Sequence, residues 1–298
     1  MYTQFFGNYL LSKGYINKEQ LFAAMKRQNN EHTRLGTLAM HAGYMTADEV
    51  DNTIIQQTHR DLKFGELAID LGYLTKGQVI ELLKSQSPDF LLLGQILVDQ
   101  GAISYSELEQ IMHGYKEQNG ISDNDLSLDN TATLSRLINN YFITSETNIS
   151  KYGNMYVELL FNNLVRFIGE DFTPTSTHSI SEYTASCIVS QKVLGAYSII
   201  SYLDMNEETA IAFASRYVGD TYDSYNEYVQ AALDDFLNLH NGLFIVNVSN
   251  EDSTELSITA PMHHDGSCIQ FEGETYIVPL LFSFGTVNYI IEIKEPTE

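Results

Sequence analysis

Between residues 34 and 57, RLGTLAMHAGYMTADEVDNTIIQQ, apolar positions fall at helical spacing in two short runs. The first extends from about Leu35 to Ala42 and stops at Gly43, where a left-handed C-terminal cap favours glycine. Thr46 then occupies an N-cap position with Glu49 three residues on, the pattern of a capping box. The helix that follows is expected to set Val50 and Ile54 on one face, as its counterpart does with Val79 and Leu83. This pattern recurs every 29 residues: Gly7, Gly36, Gly65 and Gly94 form one series, and Gly14, Gly43, Gly72 and Gly101 another. Asn17/Gln20, Thr75/Gln78 and Ser104/Glu107 repeat the cap, and Gln28, Gln57, Gln86 and then Tyr115 close the copies. The spacing predicts four helix pairs over residues 1–116, whose small units must stack to bury their apolar faces.

The period then ends. Residues 116–133, KEQNGISDNDLSLDNTAT, have little apolar periodicity and read as a tether, with a short helix following at 134–141. The connection is set at 117–148 and a second domain at 149–298. NMYVELLFNNLVRFIG (154–169) has helical periodicity, and SEYTASCIVSQKVLGAYSIISYL (181–203) reads as two strands joined near Gly195. Helices are predicted at 206–220, ending at Gly219, and at 224–244. LFIVNV, LSITAP, YIVPLLFSF and TVNYIIEIKE read as strands, and MHHDG as a turn after Pro261. This order predicts an α/β domain with a largely antiparallel sheet behind an all-α array.

Charge divides the chain as the pattern does. Residues 1–115 carry 9 Lys+Arg against 13 Asp+Glu, and the remainder 7 against 26, so the second part holds −19 of the net −23. That argues against a nucleic-acid polymer or an anionic membrane surface as partner. Cys187 and Cys268 form neither a disulfide framework nor a metal motif, and fit free thiols in a reducing compartment. The first residues lack a basic segment before an apolar run, and no stretch approaches the roughly 18 apolar residues of a membrane span. A cytoplasmic protein without a membrane span is the expectation. His263 and His264 would face opposite ways in a strand and offer no shared metal site.

Residues 5–115 resemble the MshEN domain of type II secretion and pilus ATPases. That family's motif, RLGxxLxxxGxIxxxxLxxxLxxQ, together with a five-residue spacer, reproduces the 29-residue period. The resemblance implies a cyclic di-GMP site built from Arg34, Leu35, Gly36, Gln57, Lys63, Gly65 and Gln86, with the leading Arg stacked on guanine. Only Arg34 keeps that Arg; Phe5, Lys63 and Leu92 stand at the other leading positions. A helical array used for packing or partner docking accounts for the same residues.

Residues 149–295 resemble the CheX/CheC/FliY family of chemotaxis phosphatases. The family signature has Glu, then Asn three residues on, then Pro twenty-three residues later; here Asp235, Asn238 and Pro261 hold these places. Gly242 stands where the family ends an NxxxG motif, Ala231 replaces a leading Asp or Ser, and no second copy occurs, as in the single-site CheX type. Residues three apart share a helix face, so Asp235 and Asn238 can point together toward a partner. The resemblance implies a phosphorylated response-regulator receiver domain as that partner, contributing the Mg²⁺. Asn238 would orient water for in-line attack and Asp235 would anchor the receiver's Lys. The chain would need no cofactor of its own, and a homodimer through the second domain is also implied. A non-catalytic adaptor, or a cyclic di-GMP receptor with an inert second domain, are the rival readings.

Overall fold

The computed structural model describes residues 2–28, 31–85, 89–121, 131–144, 150–195, 198–252, 255–266 and 268–294. It divides into two compact units, residues 2–133 and 134–298.

The first unit contains eight helices among its described residues: α1 (Tyr2–Ser12), α2 (Lys18–Gln28), α3 (Leu35–His41), α4 (Ala47–Gln57), α5 (Phe64–Asp70), α6 (Lys76–Lys84), α7 (Asp89–Asp99) and α8 (Tyr105–Asn119). Gly14, Gly43, Gly72 and Gly101 follow the odd-numbered helices with φ of +73°, +70°, +79° and +68°, a region costly for any residue with a Cβ. Full capping boxes start α4, α6 and α8 at Thr46, Thr75 and Ser104. Asn17 and Gln20 exchange equivalent bonds of 2.8 and 2.9 Å at α2.

Two glycines allow helices to approach closely. A Cβ on Gly36 would lie 2.9 Å from the Phe64 ring, and one on Gly65 would lie 2.9 Å from Leu35. The two contacts are reciprocal across α3 and α5. The helices do not stack as a line of consecutive pairs. α1 and α2 pack on α7, and α4 packs on α5 and α8. Phe6 explains the first contact, with its ring 5.2 Å from both Phe90 and Tyr115. Tyr115 is the residue that breaks the series of closing glutamines, and it is fully buried here. The expected apolar face of α4 also differs. Ala47, Val50 and Thr53 point inward, while Ile54 turns out to solvent and Leu83 of α6 is 69 % exposed. Thr53 tolerates burial because its hydroxyl donates to the Glu49 carbonyl at 2.7 Å.

The second unit begins within α9 (Thr131–Thr144), which is longer than the helix expected at 134–141. Residues 135–142, assigned above to the connection, pack into this unit: the Tyr141 hydroxyl donates to the Thr175 carbonyl at 2.6 Å, and its ring meets Phe161. Next come α10 (Lys151–Phe167), β1 (Phe172–Pro174), β2 (His178–Ser179), β3 (Glu182–Thr184), β4 (Cys187–Gly195) and β5 (Ser198–Asp204). Two helices, α11 (Glu207–Val218) and α12 (Glu227–Asp252), precede β6 (Leu256–Ile258), β7 (Met262–Asp265), β8 (Cys268–Gln270), β9 (Glu274–Phe282) and β10 (Gly285–Lys294).

The main sheet has the order β1-β9-β10-β5-β4-β6, and all its described pairings are antiparallel. β2 extends the β1 edge and β7 extends the β6 edge, so each border strand is in two pieces. α12 covers β4, β5 and β6 on one face, while α11 packs on β10. On the other face Ile188, Ile200, Tyr202, Ile277 and Ile290 form a core capped by Tyr183, Ile269 and Phe271 around the β3–β8 ribbon.

Two expectations are corrected here. LFIVNV is the last part of α12 rather than a strand, because Leu237, Asn241, Phe244 and Val248 continue one buried helical stripe. MHHDG is not a turn; its first four residues form β7, in register with Cys187–Ser190.

Candidate functional site

Helix α12 carries Asp235 and Asn238, the two helix residues singled out by the resemblance to the family signature. It starts at Asn226, whose side-chain oxygen accepts from the N–H groups of Tyr228 and Val229 at 3.0 and 3.2 Å. Val229, Leu233, Phe236, Leu237, Phe244 and Val248 bury its inner face. Ala231, Asp235 and Asn238 lie on the outer face, with exposed Tyr228 before them and exposed Val246 beyond. Two polar groups thus sit within an otherwise apolar exposed stripe.

Both polar side chains are tethered from neighbouring elements. The Tyr217 hydroxyl on α11 donates to Asp235 Oδ2 at 2.7 Å. Burial and the neighbouring carboxylate together push the Tyr217 hydroxyl well above its ordinary range, so it remains a donor. Asn238 Oδ1 accepts from Gln191 Nε2 on β4 at 2.9 Å. The same Gln191 amino group donates to the Thr259 carbonyl, also at 2.9 Å. Thr259 lies in the gap between β6 and β7, three residues that end at Pro261. A proline has no N–H to offer an edge ladder, which suits it to this gap. The Asn238–Pro261 spacing therefore reflects a spatial arrangement: the edge strand breaks opposite Asn238, and Gln191 joins the break to the helix.

Beneath Asn238 the polar network continues inward. Gln191 Oε1 accepts from Asn241 Nδ2 at 2.8 Å, and Asn241 Nδ2 also donates to Ser201 Oγ at 3.0 Å. Tyr156 donates its hydroxyl proton to Asn241 Oδ1, and the Tyr289 hydroxyl lies 3.0 Å from that of Tyr156. Gln191, Ser201, Asn241, Tyr156 and Tyr289 are all buried. His240 is alongside, edge-on to Tyr156, with Asn163 Nδ2 at 3.1 Å from its Nδ1. Burial pushes the His240 ring down to about 3, so it is neutral.

Sequence patterns carried no signal for Gln191 or Tyr217, because each belongs to another element and its bond to α12 spans 47 or 18 residues. Asn241 had a faint one: it stands three residues after Asn238, but it points inward. The two adjacent histidines separate as a strand requires. His263 Nε2 lies 2.8 Å from Asp234 Oδ1 on α12, and His264 Nε2 lies 2.9 Å from Ser190 Oγ. Among the described residues no group of three or more His, Cys, Asp or Glu is placed to hold a metal ion.

In the first unit, Arg34 Nη1 donates to Asp99 Oδ1 at 2.7 Å, and its backbone N–H donates to Gln95 Oε1 at 2.6 Å. Leu35, Gly36 and Gly65 form the α3–α5 contact described above. Gln57 Nε2 donates to the Leu62 carbonyl at 3.0 Å, and Lys63 is an exposed N-cap residue. Gln86 lies outside the described residues.

No protein-family model matches the chain, and no curated protein matches it. Among solved structures, the chemotaxis protein CheX from Desulfovibrio desulfuricans aligns at 14 % identity and a TM-score of 0.42, over 49 % of this chain and 100 % of that one. The CheX–CheY–BeF3–Mg²⁺ complex from Borrelia burgdorferi aligns at 21 % identity and 0.43, over 49 % and 99 %. CheX from Vibrio vulnificus aligns at 16 % and 0.42, over 49 % and 100 %. With TM-scores below 0.5, these likenesses establish neither membership of a family nor an activity. Among the described residues no helix is long and apolar enough to cross a membrane.

Proposed function

We propose that the second unit docks α12 on a phosphorylated response-regulator receiver domain and speeds loss of its aspartyl phosphate. The observation that carries this reading is the placement of Asn238 and Asp235. They stand about one turn apart on an exposed stripe, each held by a side chain from another element. A carboxamide fixed in this way can orient water or a phosphoryl oxygen without paying the entropy of ordering itself at the moment of reaction. Asp235 offers a carboxylate to the receiver's Lys. The Mg²⁺ and the phosphorylated Asp belong to the receiver, so no resident cofactor is assigned to this chain.

The first unit, read as four helical repeats, would localise or regulate the second in the cytoplasm, and the second would pair through its sheet as a homodimer. Cyclic di-GMP is a weaker reading for the repeats, because Arg34 would have to leave Asp99 before it could stack on a base. Calorimetry with cyclic di-GMP tests that reading: binding lost in Arg34→Ala would support it, and a flat trace would end it. One observation favours a non-catalytic adaptor. Asp235 is one methylene shorter than Glu and already engaged by Tyr217, which limits its reach.

Phosphate loss from phosphorylated receiver domains separates these possibilities. Acceleration by the wild type that Asn238→Ala removes is the outcome for a phosphatase. Binding with no acceleration is the outcome for an adaptor.

A further inference from the structure

We infer that Gln191 is a positioning residue for Asn238: it fixes which end of the Asn238 carboxamide faces the partner, so that this side chain meets a phosphoryl group with an N–H donor. The inference rests on the function proposed above, but its structural part stands on the hydrogen-bond directions alone.

Those directions are forced. The Thr259 carbonyl can only accept, so the Gln191 atom facing it at 2.9 Å must be the amino group Nε2. The same Nε2 faces Asn238 at 2.9 Å, so the Asn238 atom turned inward must be the oxygen, leaving Nδ2 to point away. Gln191 Oε1 is then the atom that accepts from Asn241 Nδ2 at 2.8 Å. That leaves Asn241 Oδ1 to accept from Tyr156. Since Tyr156 spends its proton there, it accepts from Tyr289 at 3.0 Å. Every donor in this series points the same way, from Tyr289 in the core through Tyr156, Asn241 and Gln191 to Asn238.

Burial gives the series its consequence. The four inner members are buried and only Asn238 reaches the surface. Hydrogen bonds aligned head to tail in a low-dielectric interior polarise one another. Drawing electron density toward the Asn238 oxygen makes the outward N–H groups better donors to an anionic phosphoryl oxygen. Flipping the carboxamide would set its N–H2 against the Gln191 N–H2 and leave one buried Gln191 N–H without an acceptor, since the Thr259 carbonyl takes only the other. The fold therefore holds one orientation. Gln191 makes no contact with the partner in this arrangement and acts only through Asn238.

The test follows the Asn238 side-chain amide protons by ¹H–¹⁵N NMR, with their signals assigned by loss in Asn238→Ala. Gln191→Leu keeps the volume but removes the donor. Two changes are expected. The Asn238 amide pair moves toward the position of a free, solvent-exposed Asn. Phosphate loss at saturating protein slows about tenfold or more, while the affinity for a beryllofluoride-loaded receiver stays within about twofold. Tyr156→Phe, which breaks the series two bonds further in, is expected to shift the same pair by less and serves if Gln191→Leu does not fold. An Asn238 amide pair unmoved in a folded Gln191→Leu protein would overturn the inference, whatever the activity. A moved pair in a protein whose wild type releases no phosphate would support the positioning role and reject the phosphatase reading.

Discussion

Gly242 illustrates how a single residue separates stability from function. It lies inside α12, where glycine costs about 1 kcal/mol relative to alanine, and a Cβ there would meet nothing within 4 Å. Packing within the unit gives no reason for it. A partner surface close to α12 would, since it lies one turn beyond Asn238. Gly242→Ala is therefore expected to raise the thermal midpoint of the second unit while weakening capture of a receiver domain. Unchanged binding would show that nothing approaches that turn. Tyr217 makes the complementary case. Tyr217→Phe removes one hydrogen bond to Asp235, and is expected to cost the second unit about 1 kcal/mol of stability and, by leaving the carboxylate free to turn, to weaken receiver binding. Titration calorimetry with a beryllofluoride-loaded receiver measures both variants. His240 gives a pH dependence. Its folded value of about 3 lies below the usual 6.5, so its contribution is complete above about pH 6.5 and is lost as the pH falls. By pH 5 the loss is about 2 kcal/mol, and the denaturation midpoint should fall accordingly. His240→Leu should flatten that decline between pH 6.5 and 5 even if it lowers stability throughout.

At the scale of elements, the reciprocal seating of Gly36 under Phe64 and Gly65 under Leu35 ties α3 to α5. Gly36→Ala would push a methyl group into the Phe64 ring and the Val50 side chain, and about 1–3 kcal/mol of destabilisation is expected in thermal unfolding. A neutral effect would mean that the two helices slide apart at no cost. Repeated local patterns were legible here without the structure. The left-handed glycines and the capping boxes depend only on a few consecutive residues, and these fixed the ends of α3, α4, α6 and α8. The stacking order was not legible, because it depends on which apolar side chains meet across the unit. Phe6 holds the place that Leu35, Phe64 and Leu93 hold in the other copies, and Tyr115 that of a closing glutamine, but their meeting, which brings α1 against α7 and α8, is not contained in any one copy. The misreading of LFIVNV had a related cause. β-branched and aromatic residues favour strands locally, but Phe244 and Val248 continue the buried stripe of α12 and tertiary packing prevails.

Across the whole molecule, the change in periodicity near residue 116 and the shift of charge to the second part anticipated two units of different construction. The candidate site was half visible. Asp235, Asn238 and Pro261 stood out only through their resemblance to a family signature, which could not say why a proline belongs there. The structure supplies the reason, since the gap it ends exposes the Thr259 carbonyl to Gln191. Gln191 and Asn241 were out of reach, because a hydrogen bond spanning 47 or 50 residues leaves no local trace. The most direct test of the account uses the full chain. Phosphate loss would be followed from a panel of acetyl-phosphate-labelled receiver domains, with wild type and Asn238→Ala side by side and binding measured in parallel. The account predicts that one receiver loses phosphate faster with the wild type, and that Asn238→Ala binds it equally well without accelerating the loss. A receiver bound tightly but dephosphorylated no faster by wild type than by Asn238→Ala would contradict it.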